Sequence, residues 1–324
     1  MAQVPWQSIP PQARAPAFWF PFSRPKATYA MADSGRAPCA DVVVKIGGSA
    51  CTKKAQFETL NDEALNASAT QLGKLRAEGV RMAVIHGAGS FGHQLAREYA
   101  VSKGTSAEEG DPKYPLSERL LEGAAKTRLS VTTLNKYVIK ALVDAGVPGM
   151  TISPCPFVDT EKKKLVGDRL PAAAAEGAAN LLKRGLVPVV HGDVVLDNAQ
   201  GLAILSGDVW MVELCRELGA RSAVFVTDVD GVFTAPPTEP GAELVREILV
   251  DPKTGELELT GVSMDCASHD VTGGLKAKLE SAAEVLLRAP SVEAVYIVRA
   301  GSEGADKALR GQTPERGTRL VRKS

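Results

Sequence analysis

An apolar strand meets a segment of helical character at Val84-Ile85-His86-Gly87-Ala88-Gly89-Ser90-Phe91-Gly92-His93. The small residues of this loop leave its backbone N–H groups bare, and the N-terminus of the following helix favours negative charge. The loop therefore predicts a phosphate-binding site. His93 closes the loop with a side chain that can donate a hydrogen bond to a phosphoryl oxygen.

The segments before this loop predict the fold class. Asp41–Ile46 is a β-branched run that indicates a buried strand, Asn61–Ala77 carries leucines at helical spacing, and Val80–Ile85 is the next strand. With the helix after His93, the order is strand, helix, strand, helix. This order predicts an α/β protein with a mostly parallel central sheet covered by helices.

The rest of the chain continues the same alternation. A long apolar stripe predicts a helix over Ser117–Ala145, and Leu186–His191 reads as a strand. Ser206-Gly207-Asp208 caps a helix that ends near Leu218, and Thr272-Gly273-Gly274 opens another. Between these two helices, Glu243–Leu259 is expected to be irregular, with a turn at its centre.

Composition restricts the classes of function. The 324 residues include 38 Lys and Arg and 38 Asp and Glu, so no charge excess points to nucleic acid or an anionic membrane. No apolar run approaches the roughly 20 residues of a membrane span. The 5 cysteines lack C-x-x-C spacing, which predicts neither a zinc site nor a disulfide framework. We therefore expect a cytoplasmic protein.

Residues 1–40 differ from the rest of the chain. Prolines interrupt any helix or strand there, and no acidic residue precedes Asp33. Such a segment cannot bury a core of its own, so we expect a disordered extension. Its basic residues also permit organelle targeting, but its few hydroxyl residues and its Phe18-Trp19-Phe20 cluster do not favour that alternative.

Four loops combine glycine with charged or hydroxyl residues, each at a strand end or a helix start. They are Lys45–Ser49, His86–His93, Ser206–Asp208 and Asp270–Lys278. In open α/β sheets, ligands bind beyond the carboxyl ends of the strands, so these loops can converge on one crevice. Together with the lysines and aspartates that they carry, they indicate phosphate chemistry.

Gly87-x-Gly89-x-x-Gly92 also fits the fingerprint of a dinucleotide-binding loop, which leaves an oxidoreductase as a less favoured alternative. That fingerprint requires an acidic residue about 20 positions further on, at the end of a strand. Glu108 and Glu109 lie near that distance, but in a Gly- and Pro-containing loop with no strand before them. The sequence G-x-x-x-x-G-K-[ST] of P-loop kinases is absent.

Six motifs, taken in order, resemble a known superfamily. They are Lys45-Ile46-Gly47-Gly48-Ser49, the His86–His93 loop, His191-Gly192-Asp193, Ser206-Gly207-Asp208, Thr227-Asp228-Val229-Asp230-Gly231 and Asp270-Val271-Thr272-Gly273-Gly274. Over about residues 41–322 the chain resembles the amino-acid kinase superfamily and, within it, the isopentenyl phosphate kinases. The closing histidine is the specific feature. Fosfomycin kinases share it, so a fosfomycin-kinase-like or other small phosphate or phosphonate kinase is the alternative.

The resemblance implies transfer of the ATP γ-phosphoryl group to isopentenyl phosphate, a step of isoprenoid biosynthesis. It implies an open αβα sandwich, with an acceptor lobe over about residues 41–200 and a nucleotide lobe over about 201–324. Mg²⁺ would arrive with ATP, carried mainly by phosphate oxygens rather than by a protein metal site. A homodimer is also implied.

The same resemblance assigns roles to residues. It implies that the catalytic residues are His93, Lys45, Lys54 and Asp208. Acceptor binding is assigned to Gly48, Ser49, Gly87, Ala88, Gly89, Ser90, Gly92, His93 and Asp193. Nucleotide binding is assigned to Lys45, Gly47, Gly48, Thr227, Asp228, Asp230, Gly231, Gly273, Gly274 and Lys278. Lys53 and Lys276 are adjacent alternatives to Lys54 and Lys278, and His86 is expected to be structural.

Overall fold

The computed structural model describes residues 39–105, 115–259 and 273–323, and only the backbone of residues 273–276. The predicted N-terminal extension therefore lies outside the described residues up to residue 38, as does the loop over 106–114. No helix in the described ranges has both the length and the apolar character to cross a bilayer.

The first elements confirm the predicted alternation. They are β1 (Val42–Ile46), α1 (Gly48–Cys51), α2 (Asp62–Ala77), β2 (Met82–His86), α3 (His93–Glu98), α4 (Glu118–Asp144) and β3 (Gly149–Ile152). Side-chain caps start the long helices: the Asn61 carboxamide oxygen accepts from the Ala64 N–H at 3.4 Å, and the Ser117 hydroxyl accepts from the Leu120 N–H at 3.4 Å. These caps satisfy donors that the first helical turn leaves unpaired.

The middle of the chain contains a hairpin over residues 193–205 that the sequence did not reveal. The elements of this part of the chain are β4 (Asp159–Glu161), β5 (Lys164–Leu165), α5 (Ala172–Lys183), β6 (Val187–His191), β7 (Asp193–Asp197), β8 (Gly201–Leu205), α6 (Gly207–Leu218) and β9 (Ser222–Thr227). β7 and β8 pair antiparallel, with Asp193 opposite Leu205. They form a separate sheet with β4 and β5, in the order β5-β4-β7-β8.

The last elements correct one expectation. They are β10 (Val232–Phe233), β11 (Leu244–Val245), β12 (Glu247–Val250), β13 (Leu257–Leu259), α7 (Gly273–Arg288), β14 (Ala294–Arg299), α8 (Glu303–Leu309) and β15 (Thr318–Arg322). The prediction that Glu243–Leu259 is irregular is wrong, because three short strands occupy it. Strands this short show little periodicity, and β12 also pairs with the distant strand β15.

The central sheet confirms the α/β class. Within the described residues it has nine strands in the order β13-β12-β15-β14-β9-β1-β2-β6-β3. From β14 to β3, every neighbouring pair in this order is parallel. The antiparallel pairs of this sheet, β14 with β15 and β12 with β13, lie at its other end. β1 is central, and its carboxyl end adjoins those of β2 and β9.

Helices cover both faces of this sheet. Val43 of β1 packs into the cluster that contains Trp210 of α6, whereas Val44 belongs to the cluster that contains Leu72 of α2 and Leu134 of α4. Neighbouring strand residues thus enter opposite cores, as the period of two requires. The result is an open αβα sandwich in which the sheet positions the loops at its carboxyl edge.

Two leucines of α4 test this core. Leu134 is fully buried, whereas Leu129 is 69% exposed. We expect Leu134→Ala to lower the free energy of unfolding by about 2–5 kcal/mol through lost burial and the cavity left behind. Leu129→Ala, which makes the same change on the same helix, should stay within about 0.5 kcal/mol. Urea denaturation measures both, and equal losses would contradict the assigned faces of α4.

Candidate active site

The loops after β1 and β2 touch backbone to backbone. A Cβ on Gly48 would lie 2.7 Å from Gly89 Cα, and one on Gly87 would lie 2.6 Å from Gly48 N. Gly89 has φ +53°, and a Cβ there would lie 2.0 Å from the Thr52 hydroxyl oxygen. Since Cβ atoms never approach other atoms this closely, both loops need glycine to meet. The predicted convergence of these loops is therefore present in the structure.

Thr52, which the sequence did not single out, fastens the two loops. Its hydroxyl donates to Gly48 O at 2.8 Å and accepts from the Ser90 N–H at 2.9 Å. The Ser90 hydroxyl is buried and accepts from the Thr59 N–H at 3.3 Å. Both polar groups of Ser90 thus face protein, so these contacts do not support the prediction that Ser90 binds the acceptor.

The backbone N–H groups of these loops divide into two sets. Gly47 N–H donates to Val226 O at 2.8 Å, and Gly87 N–H donates to Ile46 O at 2.9 Å. Gly48 and Gly89 each begin a short helical turn, a position whose N–H has no intrahelical acceptor. The N–H groups of Gly48 and Gly89 can therefore bind an anion.

Lys45 forms an ion pair with Asp208. Lys45 is in β1 and is almost fully buried, while Asp208 lies in the first turn of α6. The Ser206 hydroxyl donates to an Asp208 carboxylate oxygen at 3.0 Å and accepts from its N–H at 3.1 Å. A Cβ on Gly207 would lie 3.4 Å from Lys45 Cε, so α6 begins directly against the lysine. The carboxylate thus fixes where the ammonium group points.

Asp228 joins the loop after β9 to the first glycine loop. Its carboxylate accepts from the Ser49 hydroxyl at 2.7 Å and from the Thr227 hydroxyl at 2.9 Å. Burial disfavours the charged carboxylate, yet these hydrogen bonds hold the pKa of Asp228 below its ordinary value. A charged Asp228 therefore lies beside the glycine loops at neutral pH.

The charge of one lysine, Lys278, is opposed by the charges of two lysines from distant parts of the chain. Desolvation, followed by the charges of Lys54 and Lys45, lowers the pKa of Lys278, while Asp228 and Asp208 partly offset this effect. Lys278 lies near the start of α7, and Lys54 follows α1. The predicted set of lysines is thus gathered with its two aspartates. Three cations against two carboxylates leave local positive charge.

His93 lies at the start of α3, among cations. Desolvation, followed by the charges of Arg97, Lys54 and Lys45, lowers the pKa of its imidazole. A neutral ring carries one N–H, which can donate to a phosphoryl oxygen. Sequence reasoning missed Arg97, although it stands one helical turn after His93 and so shares its face of α3.

His86 is structural, as expected. It is fully buried and stacks on His191, with ring centroids 5.2 Å apart. Burial, followed by the charge of His191, lowers the pKa of His86 to about 3, so the ring is neutral. Its ring nitrogens contact Gly87 O at 3.2 Å and Asn135 Oδ1 at 3.1 Å. It therefore connects the end of β2 to α4.

Asp193 is not exposed to a ligand. Its side chain is fully buried, and its carboxylate forms an ion pair with Arg128 and accepts from the Val194 N–H at 2.8 Å. Arg128, from α4, also donates to the Ser153 hydroxyl at 3.0 Å. These contacts do not support the predicted binding of the acceptor by Asp193. They show instead a residue that holds α4 against the start of β7.

The remaining predicted residues differ in how far the structure describes them. Gly273 and Gly274 begin α7, but the Lys276 side chain and Asp270–Thr272 lie outside the described residues. The charge of Lys54, rather than that of Lys53, contributes to lowering the pKa values of His93, Asp228 and Lys278. Among the residues that the structure describes, no three His, Cys, Asp or Glu side chains are placed to hold a metal ion.

Gly92, Ala88 and Gly231 have supporting roles in these contacts. A Cβ on Gly92 would lie 2.9 Å from Ala88 Cβ, so glycine lets the loop close on itself. A Cβ on Gly231 would lie 2.5 Å from the Thr318 hydroxyl oxygen, so glycine there allows the loop after β9 to approach β15. Asp230, beside it, is held by two arginines, Arg299 and Arg316.

Comparison with known proteins agrees with this geometry. The sequence profile of the amino acid kinase family matches residues 42–299. The chain therefore belongs to the amino acid kinase family.

Its relatives narrow the assignment. The chain is 34% identical to the isopentenyl phosphate kinase of Arabidopsis thaliana over 315 residues, covering 83% of this chain and 90% of the relative. It is 32% identical to the isopentenyl phosphate kinase of Methanothermobacter thermautotrophicus, covering 87% and 99%. A crystal structure of isopentenyl phosphate kinase superposes with a TM-score of 0.66 at 28% identity, covering 86% and 99%. Within its family, the chain groups with the isopentenyl phosphate kinases.

The state of His93 can be measured. We expect its pKa in the free protein to lie below the ordinary value of about 6.5, because of desolvation and the nearby cations, and to rise when a phosphate dianion binds beside the ring. Its protonated fraction at pH 6.5 is therefore lower without ligand than with it. NMR titration of the ring resonances measures both states, and His93→Gln identifies the signal among the 4 histidines. A pKa at or above 6.5 in the free protein would contradict this electrostatic assignment.

Proposed function

We propose that this protein transfers the γ-phosphoryl group of ATP to isopentenyl phosphate, forming isopentenyl diphosphate and ADP. The observation that carries the proposal is the contact between the two glycine loops, with His93 at one end of the site and the lysines around it. The isopentenyl phosphate kinases that the chain resembles support the same substrate.

The reaction suits these residues. The acceptor is itself a phosphate and offers an anionic oxygen as the nucleophile, so no strong general base is required. The oxygen attacks the γ-phosphorus, and the bond from that phosphorus to the β,γ-bridging oxygen breaks, leaving ADP. Catalysis then depends on aligning two anions that repel each other and on stabilising charge on the transferred group.

Each charged group has a proposed place in that alignment. His93 donates its imidazole N–H to the acceptor phosphate. Lys45 and the N–H groups of Gly48 and Gly89 stabilise the transferred phosphoryl group. The contact between Gly48 and Gly89, and the place of Lys45 near the end of β1, the strand that precedes Gly48, support this assignment. Lys54 bridges the two substrates, since its charge acts both on His93 and on Lys278.

The nucleotide side has its own groups. Lys278 binds the ATP phosphates, and Asp208 orients Lys45 through their ion pair. Asp228 keeps the loop after β9 against Ser49, which aligns the two halves of the site. Accordingly, we assign residues of about 41–200 to the acceptor lobe and those of about 201–324 to the nucleotide lobe.

The apolar tail of the acceptor also needs a surface. Behind α3, a small cluster of buried side chains joins α4 to β7 and β8; its members are Val101, Leu120, Val194 and Leu202. It has only aliphatic members at its centre, which suits a short hydrocarbon chain. We propose that this cluster lines the site of the isopentenyl group.

Mg²⁺ and the homodimer are parts of the same proposal. Mg²⁺ enters as the Mg·ATP substrate, since Asp208 and Asp228 already have partners and phosphate oxygens are suitable ligands. A homodimer is supported by β3, an edge strand of the central sheet, near which Met150 and Leu129 are exposed apolar side chains. The cytoplasmic location stays a prediction.

An acceptor screen tests the function. Purified protein with Mg²⁺, ATP and isopentenyl, dimethylallyl or longer prenyl monophosphates should produce diphosphates, with isopentenyl phosphate among the good acceptors. Removing Mg²⁺ with a chelator should stop turnover, because uncompensated phosphate charge opposes the approach. Turnover of fosfomycin or an amino acid instead would overturn the proposal, as would tight NAD(P)H binding without ATP binding.

Replacing His93 separates the two sides of the site. We expect His93→Ala to lower kcat by about 10²–10³ through loss of a donor to the acceptor phosphate, while the Kd for ADP stays within about twofold. Lys278→Ala is the matched contrast and should weaken ADP binding. Steady-state kinetics and calorimetry measure these values. Unimpaired turnover by His93→Ala would show that the loop has been misassigned.

A further inference from the structure

Asp230 binds two arginines from different parts of the chain. Its carboxylate oxygens contact Arg299 Nε at 2.9 Å and Arg316 Nη2 at 2.7 Å, with Arg316 Nε at 3.2 Å. The Asp230 side chain is only 10% exposed, whereas the side chains of Arg299 and Arg316 are 54% and 73% exposed. We call this group of three residues the arginine clamp. Its carboxylate is directed into the protein and its guanidinium groups into solvent.

The arginine clamp lies at the ligand-binding edge of the sheet. Arg299 is the last residue of β14 and pairs with Thr227, the last residue of β9. β15 runs antiparallel to β14, so Arg316, just before β15, reaches the same edge. Asp228, two residues before Asp230, contacts Ser49 of the glycine loops at 2.7 Å. Two residues span at most about 7 Å, so the clamp adjoins the site on its nucleotide side.

The backbone beneath the clamp is fixed. The Thr318 hydroxyl accepts from the Val232 N–H at 2.8 Å and donates to Val245 O at 2.7 Å. Gly231 permits this close approach, as shown above. The two loops that carry Asp230 and Arg316 are therefore joined by contacts other than the ion pairs themselves.

The chemistry of the clamp suits a nucleotide. A guanidinium group has five N–H donors in one plane, and its faces stack on aromatic rings. Asp230 forms an ion pair with Arg299 and accepts two hydrogen bonds from Arg316, so each arginine retains donors for a ligand. Two cations against one carboxylate leave a net positive charge. Because Asp230 holds them in place, less side-chain freedom is lost on binding.

We propose that Arg299 and Arg316, positioned by Asp230, bind the adenosine end of ATP whose phosphates lie at Lys278. This deepens the proposed function and rests on it. The clamp sets affinity for the nucleotide and takes no part in the chemical step. It also explains why a buried aspartate follows Asp228 in this loop without facing the ligand itself.

Arg316→Ala is the main test, with Arg299→Ala as a second variant. Calorimetry should show Kd for ADP increased by about five- to tenfold in each, with inhibition by inorganic tripolyphosphate unchanged. The KM for ATP should rise by a similar factor, and kcat should stay within about twofold. Arg246→Ala is the matched control: Arg246 is an exposed arginine of the same lobe whose charge acts on Glu315. Thermal unfolding checks that each variant is folded.

The outcomes separate the alternatives. Unchanged ADP binding in folded Arg316→Ala and Arg299→Ala would overturn the proposal and leave the clamp a purely structural ion pair. Equal weakening of ADP and tripolyphosphate would also overturn it, because the arginines would then act on phosphates. A parent protein that binds ADP but does not phosphorylate isopentenyl phosphate would refute the proposed acceptor alone, since the ADP measurement needs no acceptor.

Discussion

The site depends on two chain segments that meet where no side chain fits. Gly48 and Gly89 approach so closely that a single added methyl group would separate the loops after β1 and β2. Parallel pairing of β1 with β2 brings the two carboxyl ends side by side, with Ile46 opposite His86. Thr52 then holds the loops together through two hydrogen bonds. These contacts keep Gly48 and Gly89 next to each other, where the N–H group of each begins a helical turn.

Electrostatics builds on this contact. The charges of Lys54 and Lys45 oppose that of Lys278, and desolvation adds to the cost of keeping Lys278 charged. Asp208 and Asp228 reduce that cost without removing the excess of positive charge. Substrates that carry phosphate complete the compensation, so the binding of two anions relieves a repulsion that the free protein sustains. Desolvation and nearby cations, among them Lys54 and Lys45, lower the pKa of His93, and the ring stays neutral until an anion binds.

The sequence predicts most of the framework and less of the site. The buried strand β1, the helices α2 and α4 and the glycine loops depend on neighbouring residues, so local patterns reveal them. Of the strands in Glu243–Leu259, β12 depends on pairing with β15. The role of Asp193 depends on Arg128, which lies in α4. A short motif identifies Asp193 and Asp230 as notable residues. It does not show that each is buried against an arginine, because the partner is distant in sequence.

Local charge, rather than total charge, determines which ligands this protein can bind. The chain has as many acidic as basic residues, so no long-range field gathers anions to it. Positive charge is instead concentrated at one edge of the sheet, at the carboxyl ends of the neighbouring strands β1, β9 and β14. Arg128 and the arginines of the clamp are each bound by a buried aspartate, which fixes their position and reduces their net charge. The lysines at the centre outnumber their carboxylates. An anion is therefore attracted most strongly to the place where these lysines are gathered.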